Sequence, residues 1–135
     1  MLYYPELSSV QRQTAVKFVL VVEDDALNAE FLSLAISSQT PYYVRLARHS
    51  FEALQAAEEI KPDLLLLDYS LPLLNGLELY DIIHRTPGLE DVPAILMSAN
   101  TLAGVTREIE KRNLKLLGKP IDLDDLLASL KHVLN

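Results

Sequence analysis

The stretch Lys17-Phe18-Val19-Leu20-Val21-Val22-Glu23-Asp24-Asp25 decides the reading of the whole chain. An unbroken apolar, largely β-branched run from Phe18 to Val22 ends abruptly in three acids. A strand with one wet face would alternate. One that does not alternate is buried on both faces. A second run of the same build, Leu64-Leu65-Leu66-Leu67, also ends in an acid, Asp68. Four leucines would equally suit a turn of buried helix, but Pro62 and Pro72 bracket this run, and its shortness favours a strand.

Between and beyond these two runs the pattern switches to helical spacing and back. Leu27, Phe31, Leu34 and Ala35 repeat at the helical period with polar residues between them, which predicts an amphipathic helix. Pro41 breaks it. Tyr43 to Arg48 alternates as a second strand does. Ser50 is the expected cap of a helix over 51–60 rich in alanine, and Pro62 stops it. Asn75-Gly76 opens a helix to about Arg85. Residues 93–98 form a fourth strand ending at Ser98, and 101–112 a weakly amphipathic helix. Leu114 to Leu117 is a fifth strand ending at Gly118-Lys119-Pro120. Asp122 caps a last helix carrying Leu123, Leu126, Leu127, Leu130 and Leu134 as one apolar stripe. The order is β-α repeated five times. That order predicts an α/β fold: a doubly wound, five-stranded parallel sheet with helices on both faces.

Composition limits what such a domain does. The chain has 135 residues, enough for one domain with a real core. Twelve Lys and Arg stand against nineteen Asp and Glu, a net charge of −7. That balance argues against binding a nucleic acid through its phosphates. With no cysteine, disulfides, thiolate metal sites and thiol nucleophiles are excluded. No apolar run approaches the ~20 residues of a membrane span, and residues 1–16 hold no apolar signal-peptide core. No membrane association is expected, and a cytoplasmic location is. Residues 1–16 read as an N-terminal extension and 17–135 as the domain.

In open parallel sheets ligands sit beyond the carboxyl ends of the strands. There the chain presents Glu23, Asp24 and Asp25, then Asp68, Ser98 and Lys119. Clustered carboxylates repel one another, and a hard divalent cation relieves that repulsion. Carboxylates, Mg²⁺ and a lysine together suit a phosphoryl group, and a carboxylate can itself be the nucleophile, forming an acyl phosphate. Taken singly, each residue has a plainer use. Acids after a strand often serve a following helix N-terminus, as Asp25 is expected to do. The three histidines, His49, His84 and His132, are scattered over different elements and do not form a ligand set.

From about Lys17 to Leu134 the chain resembles the receiver domain of two-component response regulators. The resemblance is carried by Val21-Val22-Glu23-Asp24-Asp25, Leu67-Asp68-Tyr69-Ser70-Leu71-Pro72 with Asn75-Gly76, Ser98-Ala99 and Lys119-Pro120. Each piece is short. In this order and spacing they are specific together. The resemblance implies a flavodoxin-like receiver fold with Asp68 as phosphoacceptor. Glu23, Asp24, Asp68 and the backbone carbonyl of Ser70 would hold Mg²⁺ or Mn²⁺. Ser98 and Lys119 would bind the phosphoryl oxygens and report modification. Ser70 and Asn100 occupy positions that tune the lifetime of the acyl phosphate. Pro120 is a candidate for a cis peptide bond.

The sequence also departs from the family. Leu116 stands where receivers usually carry an aromatic switch residue. Arg112-Asn113 replaces the usual Gly-Ala before the fifth strand, and the segment between Ser98 and Lys119 is slightly short. These departures fall on the family's signalling surface and bear on the output mechanism more than on the acceptor chemistry. The expected function is that of a single-domain response regulator, not an enzyme acting on an external substrate. A sensor histidine kinase would donate to Asp68. The phosphorylated form would bind a target protein, pass the group to a histidine phosphotransfer protein, or work as a homodimer. Two alternatives stay open: a pseudo-receiver that binds without being phosphorylated, and a small aspartyl-phosphate phosphatase or phosphotransferase. Ser70 lies where enzymes of the latter class usually have a second aspartate.

Overall fold

The computed structural model describes residues 16–99 and 103–135. Among these residues five strands and five helices alternate: β1 (Phe18–Val22), α1 (Ala26–Gln39), β2 (Tyr43–Ala47), α2 (Ser50–Glu59), β3 (Leu64–Asp68), α3 (Gly76–His84), β4 (Ala94–Ser98), α4 (Ala103–Lys111), β5 (Lys115–Gly118) and α5 (Leu123–Leu134). The strands form one parallel sheet in the order β2-β1-β3-β4-β5. Every residue of β1, β3 and β4 is buried, whereas β2 and β5 at the edges are partly exposed. The unbroken apolar runs are thus the central strands, as expected for strands covered on both faces.

Alternation along each strand divides the core in two. Leu20, Val22, Leu65, Leu67 and Leu96 face α2, α3 and α4, where they meet Ala53, Ala56, Leu79, Ile83 and Ile109. Val19, Val21, Leu64, Leu66, Ile95 and Met97 face the other way, onto Leu32 and Ile36 of α1 and Leu126 and Leu130 of α5. The alanines of α2 let that helix lie close against the sheet.

Three sequence expectations change. In α1 the buried residues are Ala29, Leu32, Ala35 and Ile36, while Leu27, Phe31 and Leu34 are exposed at 78%, 40% and 60%. The helix carries apolar residues on two faces, and the face with the larger side chains at 27, 31 and 34 is the one turned away from the sheet. In α5, Leu123 is likewise exposed, and the buried residues are Leu126, Ser129, Leu130 and Leu134. The cap of α2 is His49, whose Nδ1 accepts from the Glu52 amide. Ser50 is instead the first helical residue, buried, and its hydroxyl donates to the Leu74 carbonyl at 3.0 Å. The other helix starts hold: Asp25, Asn75 and Asp122 each accept from a first-turn amide, and Asn75 forms a reciprocal capping box with Glu78. The expected helix over 101–112 is described as α4 from Ala103.

Candidate functional site

The sheet's strand order reverses between β1 and β3, because the chain leaves β1 for β2 on one side and returns to β3 on the other. A crevice opens at such a point beyond the carboxyl ends of the strands. The register aligns Val22 with Leu67, Asp68 with Met97, and Ser98 with Gly118. The next residue of β1 and the last of β3 therefore stand side by side, and Lys119 follows at the end of β5.

Glu23 is fully buried and Asp68 only 3% exposed, while Asp24 reaches solvent. One carboxylate oxygen from each of Glu23, Asp24 and Asp68 can be chosen so that all three lie within 4.8 Å of one another. The set is all oxygen and partly open to water, which is the donor chemistry of a hard divalent cation. Lys119 Nζ reaches both buried acids, at 2.9 Å from Glu23 Oε1 and 3.1 Å from Asp68 Oδ1. The second oxygen of Glu23 accepts from the Asp25 amide at 3.2 Å, and Asp68 Oδ1 accepts from the Ser70 amide at 3.2 Å. Burial pushes the Glu23 carboxyl up; its hydrogen bond from Lys119 opposes this, and the neighbouring Asp68 adds to it. Burial also works to lower Lys119, but its hydrogen bonds to Glu23 and Asp68 together outweigh that and raise it. The lysine thus sits as a cation between two buried acids, within hydrogen-bond reach of each.

Backbone contacts fix the remaining groups. The Lys119 amide donates to the Ser98 carbonyl at 2.9 Å, joining the two strand ends that carry these residues. Ser98 is buried at the rim of the crevice. The Lys119–Pro120 peptide bond is cis. After Asp68 the chain turns sharply: the Tyr69 amide donates to Met97, and the Tyr69 carbonyl accepts from Gly76 at 2.9 Å. Gly76 is required there, since a Cβ on it would lie 2.5 Å from the Asp68 carbonyl oxygen and 2.8 Å from Leu96 Cδ1. Ser70 is exposed on this turn, and Asn100 lies outside the described residues. Leu116 is half-buried in edge strand β5 and packs on the core beneath α3 and α4.

One residue that sequence reasoning passed over belongs to this neighbourhood. Arg48, directly after β2, donates from Nε to the Glu23 carbonyl at 3.2 Å and from Nη2 to the Asp24 carbonyl at 2.8 Å. Its place at a strand's carboxyl end was the available signal, and the alternation of β2 alone did not reveal it.

A family model for the response regulator receiver domain matches residues 19–131. The chain belongs to the response regulator receiver family. The polar-differentiation response regulator DivK of Brucella anthropi is 30% identical over 119 residues, which span 87% of this chain and 96% of that one. A putative response regulator from Chloroflexus aurantiacus superposes with a TM-score of 0.81 at 27% identity, over 89% of this receiver and 98% of its own chain. The chemotaxis protein CheY4 of Vibrio cholerae shares the fold, with a TM-score of 0.82 at 24% identity over 89% of this chain and 100% of that one. This is a receiver of two-component signalling, DivK-like and CheY-like in build, from a family of regulators. No helix among its described residues is long and apolar enough to cross a membrane.

Proposed function

We propose that this receiver is a phosphorylation-controlled switch in which Asp68 accepts a phosphoryl group from the phosphohistidine of a sensor kinase. The observation that carries the reading is the buried Asp68 carboxylate, held by Lys119 on one side and grouped with Glu23 and Asp24 on the other. Asp68 is the acid of the three that terminates a central strand, so it is the most rigidly aimed. Its oxygen attacks phosphorus, the bond from phosphorus to the imidazole nitrogen breaks, and that nitrogen leaves with its electron pair and takes a proton from water. Lys119 offsets the charge gathering on the phosphoryl oxygens. Glu23, Asp24, Asp68 and the Ser70 carbonyl are the groups that would hold Mg²⁺ or Mn²⁺. The ion supplies electrostatic stabilisation of the transferred group.

The new dianion, carried on Asp68, then competes with Glu23 for Lys119 and calls on the Ser98 hydroxyl. Two conformers exchange population, and a partner reads the difference. A shift from mostly off to mostly on takes roughly 3 to 5 kcal/mol of differential interaction, within reach of charge-assisted contacts to a dianion. The partner is a target protein or a histidine phosphotransfer protein. The domain itself spans 17–135, with 1–16 as an extension.

The test is intact mass spectrometry after incubation with Mg²⁺ and acetyl phosphate. One acid-stable, base-labile phosphoryl adduct is expected on the wild type and none on Asp68→Asn. An adduct on Asp68→Asn at the same rate would move the acceptor elsewhere. No adduct on the wild type, together with no binding of a beryllofluoride complex, would leave a binding module in place of a switch.

A further inference from the structure

We propose that Arg48 is a positioning residue for the divalent-cation site, setting the orientation of Asp24. The inference rests on the functional reading of Glu23, Asp24 and Asp68 as that site. Its structural basis is the fork of one guanidinium onto two successive carbonyls, those of Glu23 and Asp24, at 3.2 and 2.8 Å.

These carbonyls belong to the two peptide planes that flank the Asp24 Cα. A peptide unit is rigid, so the backbone at Asp24 has only its two dihedrals to vary. Fixing the plane before and the plane after fixes both. Asp24 needs this more than its neighbours. Glu23 is buried and anchored by Lys119, and Asp68 ends a central strand, whereas Asp24 is exposed on the loop between β1 and α1. The fork itself comes from a stiff base. Ala47, just before it, accepts the Glu23 amide at 3.1 Å, extending the β1–β2 ladder by one bond. The Arg48 amide donates to the Glu52 carboxylate, and the next residue, His49, caps α2. Only arginine meets this geometry. Its planar donors fix the angle between two carbonyls, whereas a lysine ammonium is a point charge with no such plane.

Arg48 also carries a positive charge near the acids, and this makes the proposal decidable. As a charge alone it repels a divalent cation, so its removal would tighten binding. As a positioning group it aids binding, so its removal weakens it. The charge is exposed and screened by solvent, while partners that orient metal ligands typically matter by about 10- to 100-fold in affinity. Positioning therefore wins.

The experiment is a Mg²⁺ titration of the full chain by calorimetry and by amide shifts of Asp24 and Asp68, at fixed ionic strength. The proteins are wild type, Arg48→Ala, Arg48→Lys and Arg48→Gln, each first checked by circular dichroism. Arg48→Ala is expected to raise the Mg²⁺ Kd about tenfold, with little change in melting temperature. Arg48→Lys, which keeps the charge and loses the fork, is expected to bind more weakly than wild type as well. Should Arg48→Ala lose its fold, Arg48→Lys and Arg48→Gln carry the same test. Equal or tighter binding by Arg48→Ala, or full recovery in Arg48→Lys, overturns the proposal and leaves the functional reading standing. A wild type that binds no Mg²⁺ overturns both.

Discussion

Lys119 is a residue whose worth to stability and to the proposed switch can be measured separately. It lies 2.9 Å from a fully buried glutamate and 3.1 Å from the buried Asp68. Replacing it by methionine leaves both acids in low dielectric without a cation, a change that costs about 3 kcal/mol at neutral pH. Glu23, already raised by burial, then takes up its proton at still higher pH. A carboxyl that protonates more readily folded than unfolded loses stability as pH rises between its unfolded and folded values. Urea unfolding of Lys119→Met should therefore show its largest deficit at neutral pH and a smaller one in acid. Phosphorylation of Asp68 should survive in Lys119→Ala while the conformational response to it is lost. Amide spectra of the phosphorylated and unphosphorylated variant would then nearly coincide. Gly76 is a second case. Its Cβ would strike the Asp68 carbonyl oxygen and Leu96, so Gly76→Ala is expected to cost about 2 kcal/mol, measured by urea unfolding, and to shift the Asp68 amide resonance.

At the scale of one element, α1 has one face packed on the sheet and another, also apolar, left open. Leu32 is 1% exposed in the core, whereas Leu27, Phe31 and Leu34 line an open face of the same helix. Leu32→Ala should cost about 2 to 5 kcal/mol. Replacing Leu27, Phe31 and Leu34 together by serine should change stability by no more than about 1 kcal/mol. Under the proposed function, this open apolar face, with its N-terminal end beside Glu23 and Asp24, is where an incoming phosphohistidine protein would dock. The triple variant should still react with acetyl phosphate at the wild-type rate and react more slowly with a phosphohistidine protein. Equal rates with both donors would remove α1 from the docking surface.

At the scale of the whole molecule, α3 and α4 are tied by a charged clamp on the side where the sequence departs from its family. Arg112 meets both oxygens of Asp81 at 2.8 and 2.7 Å, and the carbonyl and carboxylate of Glu108 at 2.8 and 3.0 Å. The arginine holds the Asp81 carboxyl below its ordinary value of 3.8. Stability from such a depressed acid is present above the unfolded pKa and is lost as pH falls through the folded one. Asp81 is about one third exposed, so solvent screening keeps the effect near 1 kcal/mol. Asp81→Asn should be less stable than wild type by about that much at neutral pH, and the two should converge in strong acid, below both pKa values.

The architecture was legible in the chain because burial on both faces leaves a mark that survives in one dimension. The unbroken runs at 18–22 and 64–67, short and bracketed, read as central strands of a covered sheet, and that sheet brings their terminal acids to one edge. Asp24, Asp68, Ser98 and Lys119 followed from that, together with the caps at Asp25, Asn75 and Asp122, since a cap is a local hydrogen bond. What escaped was every choice that depends on a distant neighbour. Leu27, Phe31 and Leu34 have the same helical spacing whether or not a sheet covers them, and only the placement of β1 and β2 directs Leu32 and Ile36 inward instead. His49 and Ser50 are both competent caps in isolation. Ser50 is drawn into the helix because its hydroxyl meets the Leu74 carbonyl, 24 positions away. Arg48 reads as the polar end of an edge strand until parallel pairing with β1 brings the Glu23 and Asp24 carbonyls to its guanidinium. Local periodicity and capping are written in neighbouring residues, whereas which face is dry and which donor finds which carbonyl is decided only when the strands are side by side.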